Sequence, residues 1–437
     1  MIRDATIFAL SSGPGRAGVA VIRISGPEAG SVFTHFGTTS PPPRQAALRR
    51  LRDGEGATLD EALVLWLPGP GTATGEDMAE FHVHGAPSVV RAVLTSLGDI
   101  PGFGPAEPGA FTHRAFRNRR LDLLQVEGLS DVLQSETEAQ RRLAMRQFLG
   151  EASSIYEGWR KGLLRAVALV EAAIDFSDED DVALRAADEA AVVARDLAGS
   201  FRRAMDQADG AAQVRRGLRV VLAGAPNVGK SSLLNWLAGR DAAIVSPQAG
   251  TTRDVVEAPV VLGGLPVMIA DTAGLREDSA DAIEREGMRR TRAAVDDADI
   301  LVWLETAGGT GEVRPSRTPE FRVCTKVDLV PCLDRHAVWP LSVKSGEGLE
   351  EFRRALETLI RERNHLGQDA VVVRERHRIA LQSALDHLHH VEQARALGLE
   401  FMAEDMRKAA AALAGIMGVA NVEDVLGEIF SAFCIGK

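Results

Sequence analysis

The octapeptide GAPNVGKS, Gly224 to Ser231, sets two glycines, a lysine and a hydroxyl at the spacing GxxxxGK[ST], directly after a short apolar run from Leu218 to Ala223. Each residue type has a task. Gly224 and Gly229 let the backbone turn tightly so that its N–H groups converge on phosphate oxygens, and the start of the following helix adds a favourable dipole. Lys230 bridges the terminal phosphates and the Ser231 hydroxyl binds magnesium, with Asn227, Val228 and Ser232 completing the wall. GTTRD follows at Gly250 to Asp254, where Thr252 offers a second magnesium hydroxyl in a loop that folds over the terminal phosphate. DTAG, Asp271 to Gly274, comes after the apolar run VMIA. Asp271 is suited to hold magnesium through water; beside Thr272 and Ala273, the Gly274 amide is suited to report the γ-phosphate.

Two later segments choose the base. TKVD at Thr325 to Asp328 stands where Asn-Lys-x-Asp reads guanine. The Asp328 carboxylate accepts two hydrogen bonds from the guanine N1 and exocyclic amine, which adenine does not offer, and Lys326 covers the base plane. Thr325 lacks the amide that contacts the base edge and braces the loop, a loss on the order of 1 kcal/mol for one neutral hydrogen bond. SVKSGEG, with Ser342, Val343 and Lys344, fits the last base-contacting loop. Hydrolysis also needs positioned water and an offset for charge developing on the phosphates. Asn227, with carbonyls from Ser246 and Gln248 and the Thr251 backbone, can hold a monovalent cation for that purpose; equally, Asn227 can be a turn residue favouring a tight bend.

The elements that must carry these segments are legible in outline. With 437 residues, 45% hydrophobic and 25% charged, the chain has the balance of ordinary folded domains and the length for two or three of them. No apolar run approaches the roughly 20 residues that span a bilayer, and no leader is evident at the start, so a cytoplasmic location is expected. The net charge of -11 opposes a general nucleic-acid coat, although Arg114, Arg117, Arg119 and Arg120 crowd one stretch. Cys324, Cys332 and Cys434 form no disulfide framework. Only six lysines accompany 44 arginines, and Lys230, Lys326, Lys344 and Lys437 fall in the motifs singled out for function, where a compact ammonium is required.

Residues 1–117 predict a mixed α/β unit, with strands at Gly18 to Ile24, Ala62 to Leu67 and Ala79 to His84. Helical periodicity then runs from 121 to 174 and from 183 to 213, an alternating β/α pattern from 218 to 364, and three amphipathic helices at 375–396, 400–415 and 422–432. The expected fold class is α/β plus all-α. Domain bounds are 1–117 for the N-terminal domain, 118–213 and 367–437 for one discontinuous helical domain, and 214–366 for an inserted P-loop domain.

Outside the nucleotide segments, PGRAGVAVIRISGP at 14–27, TGEDMAEFHVHG at 74–85, PGAFTHRAFRNRRLDLLQVEGLSDVL at 108–133 and the terminal CIGK resemble the MnmE (TrmE) family over nearly the whole chain. The resemblance implies an N-terminal domain that dimerises and binds a 5-formyl- or methylene-tetrahydrofolate through Arg23, Glu80, Arg120 and Lys437. Arg120 stands where the family pattern has lysine, and its guanidinium can still pair with a glutamate-tail carboxylate. Also implied are potassium at Asn227, G-domain dimerisation on GTP, and Glu284 positioning the attacking water indirectly, although Asp271 to Glu284 is one residue longer than the family spacing. Cys434 is implied in modification chemistry, with a buried structural thiol as the alternative. The family acts with the FAD-dependent MnmG, in a heterotetramer, to build a carboxymethylaminomethyl-type group on the wobble uridine of certain tRNAs. FAD is assigned to the partner because no dinucleotide fingerprint follows a strand here.

Two other classes compete. An RNA-binding switch GTPase of ribosome assembly calls for a basic reading module. A zinc enzyme built on His82 and His84 needs a third ligand that the spacing does not offer, and hydrogen-bonded histidines account for the pair better.

Overall fold

The computed structural model describes residues 5–175, 180–241, 256–271, 289, 292–306, 315–331, 338–364, 370–418, 427, 429–430, 433 and 436. They form two compact units. One comprises residues 1–130, 147–191 and 390–437, the other 131–146 and 192–389, so the helical segments are apportioned between both.

The first unit is built on a six-stranded sheet. Its strands are β1 (Thr6–Leu10), β2 (Ala17–Ser25), β3 (Ala46–Arg52), β4 (Thr58–Leu67), β5 (Met78–Gly85) and β6 (Phe103–Pro105), in the order β3-β4-β5-β2-β1-β6. All pairs are antiparallel except β1 with β6. Period-two alternation puts Ala20, Ile22 and Ile24 of β2 and Phe81 and Val83 of β5 into the core, which leaves Arg23 and Glu80 on the opposite face. α1 (Val32–His35) and α2 (Pro87–Gly98) cover the apolar face, where Phe33 and Phe36 stand edge-on to Phe81 at 5.8 and 5.4 Å between centroids. β1, β3 and β6 are not among the strands expected from the sequence: β3, AALRRLR, is an edge whose exposed arginines obscure the apolar alternation.

α3 (Ala110–Arg117) ends in a turn that holds Arg119 at φ 54°, a left-handed conformation in which a Cβ is strained. Arg119→Gly is expected to raise stability by about 0.5–1 kcal/mol, the relief of strain less glycine's entropy in the unfolded chain. The thermal midpoint of Arg119→Gly against Arg119→Ala, which keeps the strain, measures it.

α4 (Leu123–Gln134), α5 (Glu138–Phe148) and α6 (Glu151–Asp175) occupy the stretch that periodicity presents as continuous helix. It breaks twice. Thr137 Oγ1 accepts the Gln140 N–H at 3.3 Å and so caps α5, while Gly150 at φ 87° stops the chain between α5 and α6. Beyond α7 (Asp180–Asp206) comes α8 (Ala208–Arg216), and in the first unit α6 lies along α12 (Leu399–Ile416), which follows α11 (Glu375–Leu397). Tyr156, Leu163 and Val170 of α6 and Met402, Met406 and Leu413 of α12 are buried there. The expected helix at 422–432 lies largely outside the described residues. Among those described, no helix is long and apolar enough to cross a membrane.

The terminal segment docks on the N-terminal sheet domain. Phe430 packs on the ring of His113 at 5.0 Å, Gly109 admits the Phe430 backbone where a Cβ would come within 2.8 Å of its carbonyl oxygen, and Ser11 Oγ donates to the Gly436 carbonyl at 2.9 Å. Burial, then the charges of Arg117 and Arg114, lower the pKa of His113 from its ordinary 6.5. The unfolded chain therefore takes up a proton first as pH falls. Stability from neutral His113 is full above pH 6.5 and declines below it, until His113 itself protonates in the fold. His113→Gln is expected to flatten thermal midpoints between pH 7.5 and 5.5, read by differential scanning fluorimetry as the loss of about one acid-sensitive proton uptake.

The second unit carries a sheet ordered β12-β11-β10-β7-β9-β8, with β7 (Leu218–Gly224), β8 (Val256–Leu262), β9 (Leu265–Asp271), β10 (Ile300–Thr306), β11 (Phe321–Thr325) and β12 (Trp339–Leu341). Every pair is parallel except β8 with β9. Val220, Val221, Leu222 and Ala223 are all buried, as a central parallel strand covered on both faces requires. α9 (Lys230–Asp241) and α10 (Leu349–Asn364) flank the sheet. Leu143 of α5 and Ala211 and Val214 of α8 share its core with Val220, Leu222 and Val228.

Candidate nucleotide site

Chain direction gathers the site at the C-terminal ends of β7, β9 and β11. β7 delivers Gly224 at φ 149°, where a Cβ would lie 2.2 Å from the Leu304 carbonyl oxygen, so only glycine passes that point without displacing β10. Asn227 is left-handed at φ 55° and Gly229 at φ 108°, which shapes the loop before α9. Lys230 is 6% exposed, and its ammonium donates to the carbonyls of Gly224 and Ala225 at 3.3 and 3.1 Å. Desolvation lowers its pKa, opposed by the Asp271 carboxylate. Such an ammonium favours an incoming anion.

Ser231 Oγ donates directly to Asp271 Oδ2, while Asp271 Oδ1 is buried without a hydrogen-bond partner among the described residues. A hydroxyl against a carboxylate with an unanswered buried oxygen is a donor set that suits a hard divalent cation. Two of the three residues read as magnesium-holding in the sequence, Ser231 and Asp271, are thus together. Thr252, Thr272, Ala273 and Gly274 lie outside the described residues, as do Ser246, Gln248, Gly250, Thr251 and Glu284, so of the expected potassium ligands only Asn227 is described.

The base side is a cavity of about 230 Å³ lined by residues that include Gly229, Ser232, Thr325, Lys326, Asp328 and Ser342, and also Val343 and Lys344. Asp328 Oδ1 accepts from Ser342 Oγ at 2.7 Å, which fixes the carboxylate. Lys326, left-handed at φ 59°, donates from Nζ to the Asn227 carbonyl at 2.7 Å and ties the base loop to the phosphate loop. The expectation that Thr325 leaves the loop without a brace is corrected here. Its buried hydroxyl lies 2.5 Å from the Val228 carbonyl and 3.2 Å from that of Glu305, so the shorter side chain braces the loop from within. Leu329, a further wall of the cavity, carries no motif signal and was not foreseen.

In the first unit, Arg23 Nε donates to Glu80 Oε1 at 2.9 Å across the β2–β5 register, and its guanidinium lies 5.9 Å from the Phe111 ring centroid. Phe111 was not foreseen; an aromatic beside a cation is the signal that marks it. Arg120 packs its Cγ against Gly75, at 3.2 Å from a Cβ built there. Gly436 is held at Ser11, one residue beyond β1, whose Ala9 pairs with Arg23. Cys434 and Lys437 lie outside the described residues. His84 Nδ1 meets Asp60 Oδ1 at 2.7 Å and His82 Nε2 lies 3.5 Å from Glu80 Oε2, so both histidines bond to carboxylates.

A family model described as GTP-binding protein TrmE N-terminus matches residues 6–120, and one described as MnmE helical domain matches 123–434. A tRNA modification GTPase MnmE from Methylobacterium sp. (strain 4-46) is 49% identical over 99% of this chain and 99% of its own. The chain belongs to the MnmE family. The corresponding protein of Maricaulis maris is 45% identical over 99% of this chain and 100% of its own. Among solved structures, Era in complex with MgGDPNP and a segment of 16S ribosomal RNA matches 32% of this chain and 56% of its own at 24% identity and TM-score 0.27. MnmE membership fixes the fold class: an N-terminal α/β domain, a helical domain, and a P-loop GTPase domain within the span of the helical-domain match.

Proposed function

We propose that this chain hydrolyses GTP and couples the hydrolysis to tRNA modification. The carrying observation is the direct Ser231–Asp271 contact beside a desolvated Lys230, on the same strand ends that wall the Asp328 cavity. Lys230 and the loop amides bind the phosphates, and Asp328, fixed by Ser342, selects guanine. Ser231, Asp271 and Thr252 hold magnesium, which supplies Lewis-acid neutralisation of the phosphate oxygens when bound. Asn227, with Ser246, Gln248 and Thr251, holds potassium, and Glu284 orients water through an intermediary.

In this reading residues 1–117 dimerise and bind the one-carbon folate through Arg23, Glu80, Arg120 and Lys437; segments 118–213 and 367–437 form the helical domain, and 214–366 the GTPase domain. The Phe111 ring beside the Arg23–Glu80 pair supports a planar ligand there. The flavoprotein MnmG supplies FAD, the product is the carboxymethylaminomethyl group at C5 of the wobble uridine, and Cys434 is a candidate for the modification step. GTP turnover in potassium against sodium, with Asn227→Ala alongside, tests the proposal. Turnover several-fold higher in potassium and lost in Asn227→Ala is expected. Cation-independent turnover that ignores Asn227 removes the potassium mechanism, and no turnover in any salt removes the whole reading.

A further inference from the structure

One half-buried carboxylate in the segment 108–133, Asp131, has no part in the nucleotide or folate sites. The Asp131 side chain is 12% exposed, and its oxygens accept from Arg215 Nε at 3.2 and 3.3 Å and from Arg374 Nη2 at 2.7 Å. The two arginines come from opposite ends of the nucleotide-binding sheet in sequence. Arg215 lies in the last turn of α8, three residues before β7, and Arg374 immediately precedes α11, after the buried run Ala370 to Val373. The chain enters the sheet at one and leaves it at the other, and a single carboxylate gathers both crossings.

This clamp is packed onto the nucleotide core. Val214 and Val373, each next to a clamp arginine, are buried in the same cluster as Val220, Leu222 and Val228, and Gln140 Nε2 donates to the Arg215 carbonyl at 3.1 Å. β7 is one hydrogen-bonded strand, stiff along its length, with the phosphate loop at one end and Arg215 just before the other. The boundary between the two compact units falls between Ser130 and Asp131, within α4. A shift of β7 that carried Arg215 with it would therefore reach α4 through Asp131. Without the carboxylate, two half-buried guanidinium groups lose their shared counter-charge.

We propose that Asp131 is a positioning residue of the GTPase cycle, which passes the nucleotide state from β7 to α4. The proposal rests on the nucleotide reading above. Hydrogen–deuterium exchange of the full chain with GDP, and with GDP plus aluminium fluoride, tests it. In the wild type the α4 peptide is expected to change its exchange between the two states. Asp131→Asn is expected to abolish that change and Asp131→Glu to restore it, while all three bind fluorescent GDP within about threefold of one another. An α4 response equal in wild type and Asp131→Asn overturns the proposal, as does a wild type that binds GDP with no α4 response. Loss of GDP binding in Asp131→Asn marks a residue needed only for folding and overturns it too. A wild type that binds no guanine nucleotide removes the nucleotide reading and the clamp with it.

Discussion

Lys230→Ala is expected to cut GTP turnover by about 10²–10³-fold, the usual cost of removing one preorganised charge from a phosphoryl-transfer site. The fold holds this ammonium where charge is expensive: it is 6% exposed, bonded among the described residues to the neutral carbonyls of Gly224 and Ala225, and lowered in pKa by desolvation. A triphosphate offers it anionic oxygens, so part of the cost of burying the lysine is offset on binding. A second outcome follows from the same balance. Removing Lys230 is expected to leave the thermal midpoint of the nucleotide-free protein unchanged or higher, because folding no longer desolvates a charge, while the stabilisation that GTP gives disappears. Lys230→Arg should not rescue turnover, since a planar guanidinium does not fit beside the Gly224 and Ala225 carbonyls. Steady-state hydrolysis and melting curves with and without nucleotide check both. A variant that retains more than about a tenth of wild-type turnover sinks the assignment.

How much of this was legible depended on whether chemistry or packing chose the residue. Gly224, Gly229, Lys230 and Ser231 could be read because phosphate binding admits few alternatives at each place, and β7 because a central parallel strand is apolar on both faces. β3 was hidden by exposed arginines on an edge strand, and the α4–α5–α6 run read as unbroken because a Thr cap and one glycine interrupt it without disturbing the apolar period. Thr325 was misjudged for a different reason. Functional group alone sets threonine below asparagine, whereas its proximity to the Val228 carbonyl, nearly a hundred residues away, lets a short hydroxyl brace the loop. Asp131 was illegible on the same ground, since its partners at 215 and 374 meet only in the fold.

Asp328→Asn is expected to reverse base preference, with guanine nucleotide affinity falling by about 10²–10⁴-fold. That range corresponds to two hydrogen bonds to a charged acceptor at roughly 1.5–3 kcal/mol each. The loss exceeds that of a neutral bond because the amide presents an N–H to the guanine amine where the carboxylate presented oxygen, turning an attraction into a clash of donors. Xanthine carries a carbonyl at that carbon, so xanthosine triphosphate should bind the variant better than GTP and the wild type worse. The fold is expected to tolerate the change, because Asp328 is exposed and an Asn carbonyl can still accept the Ser342 hydroxyl, now at 2.7 Å from Oδ1. Competition between the two nucleotides for each protein, with hydrolysis rates alongside, separates the cases. Equal loss of both would mean a disordered loop, and undiminished GTP affinity would mean that the base is read elsewhere.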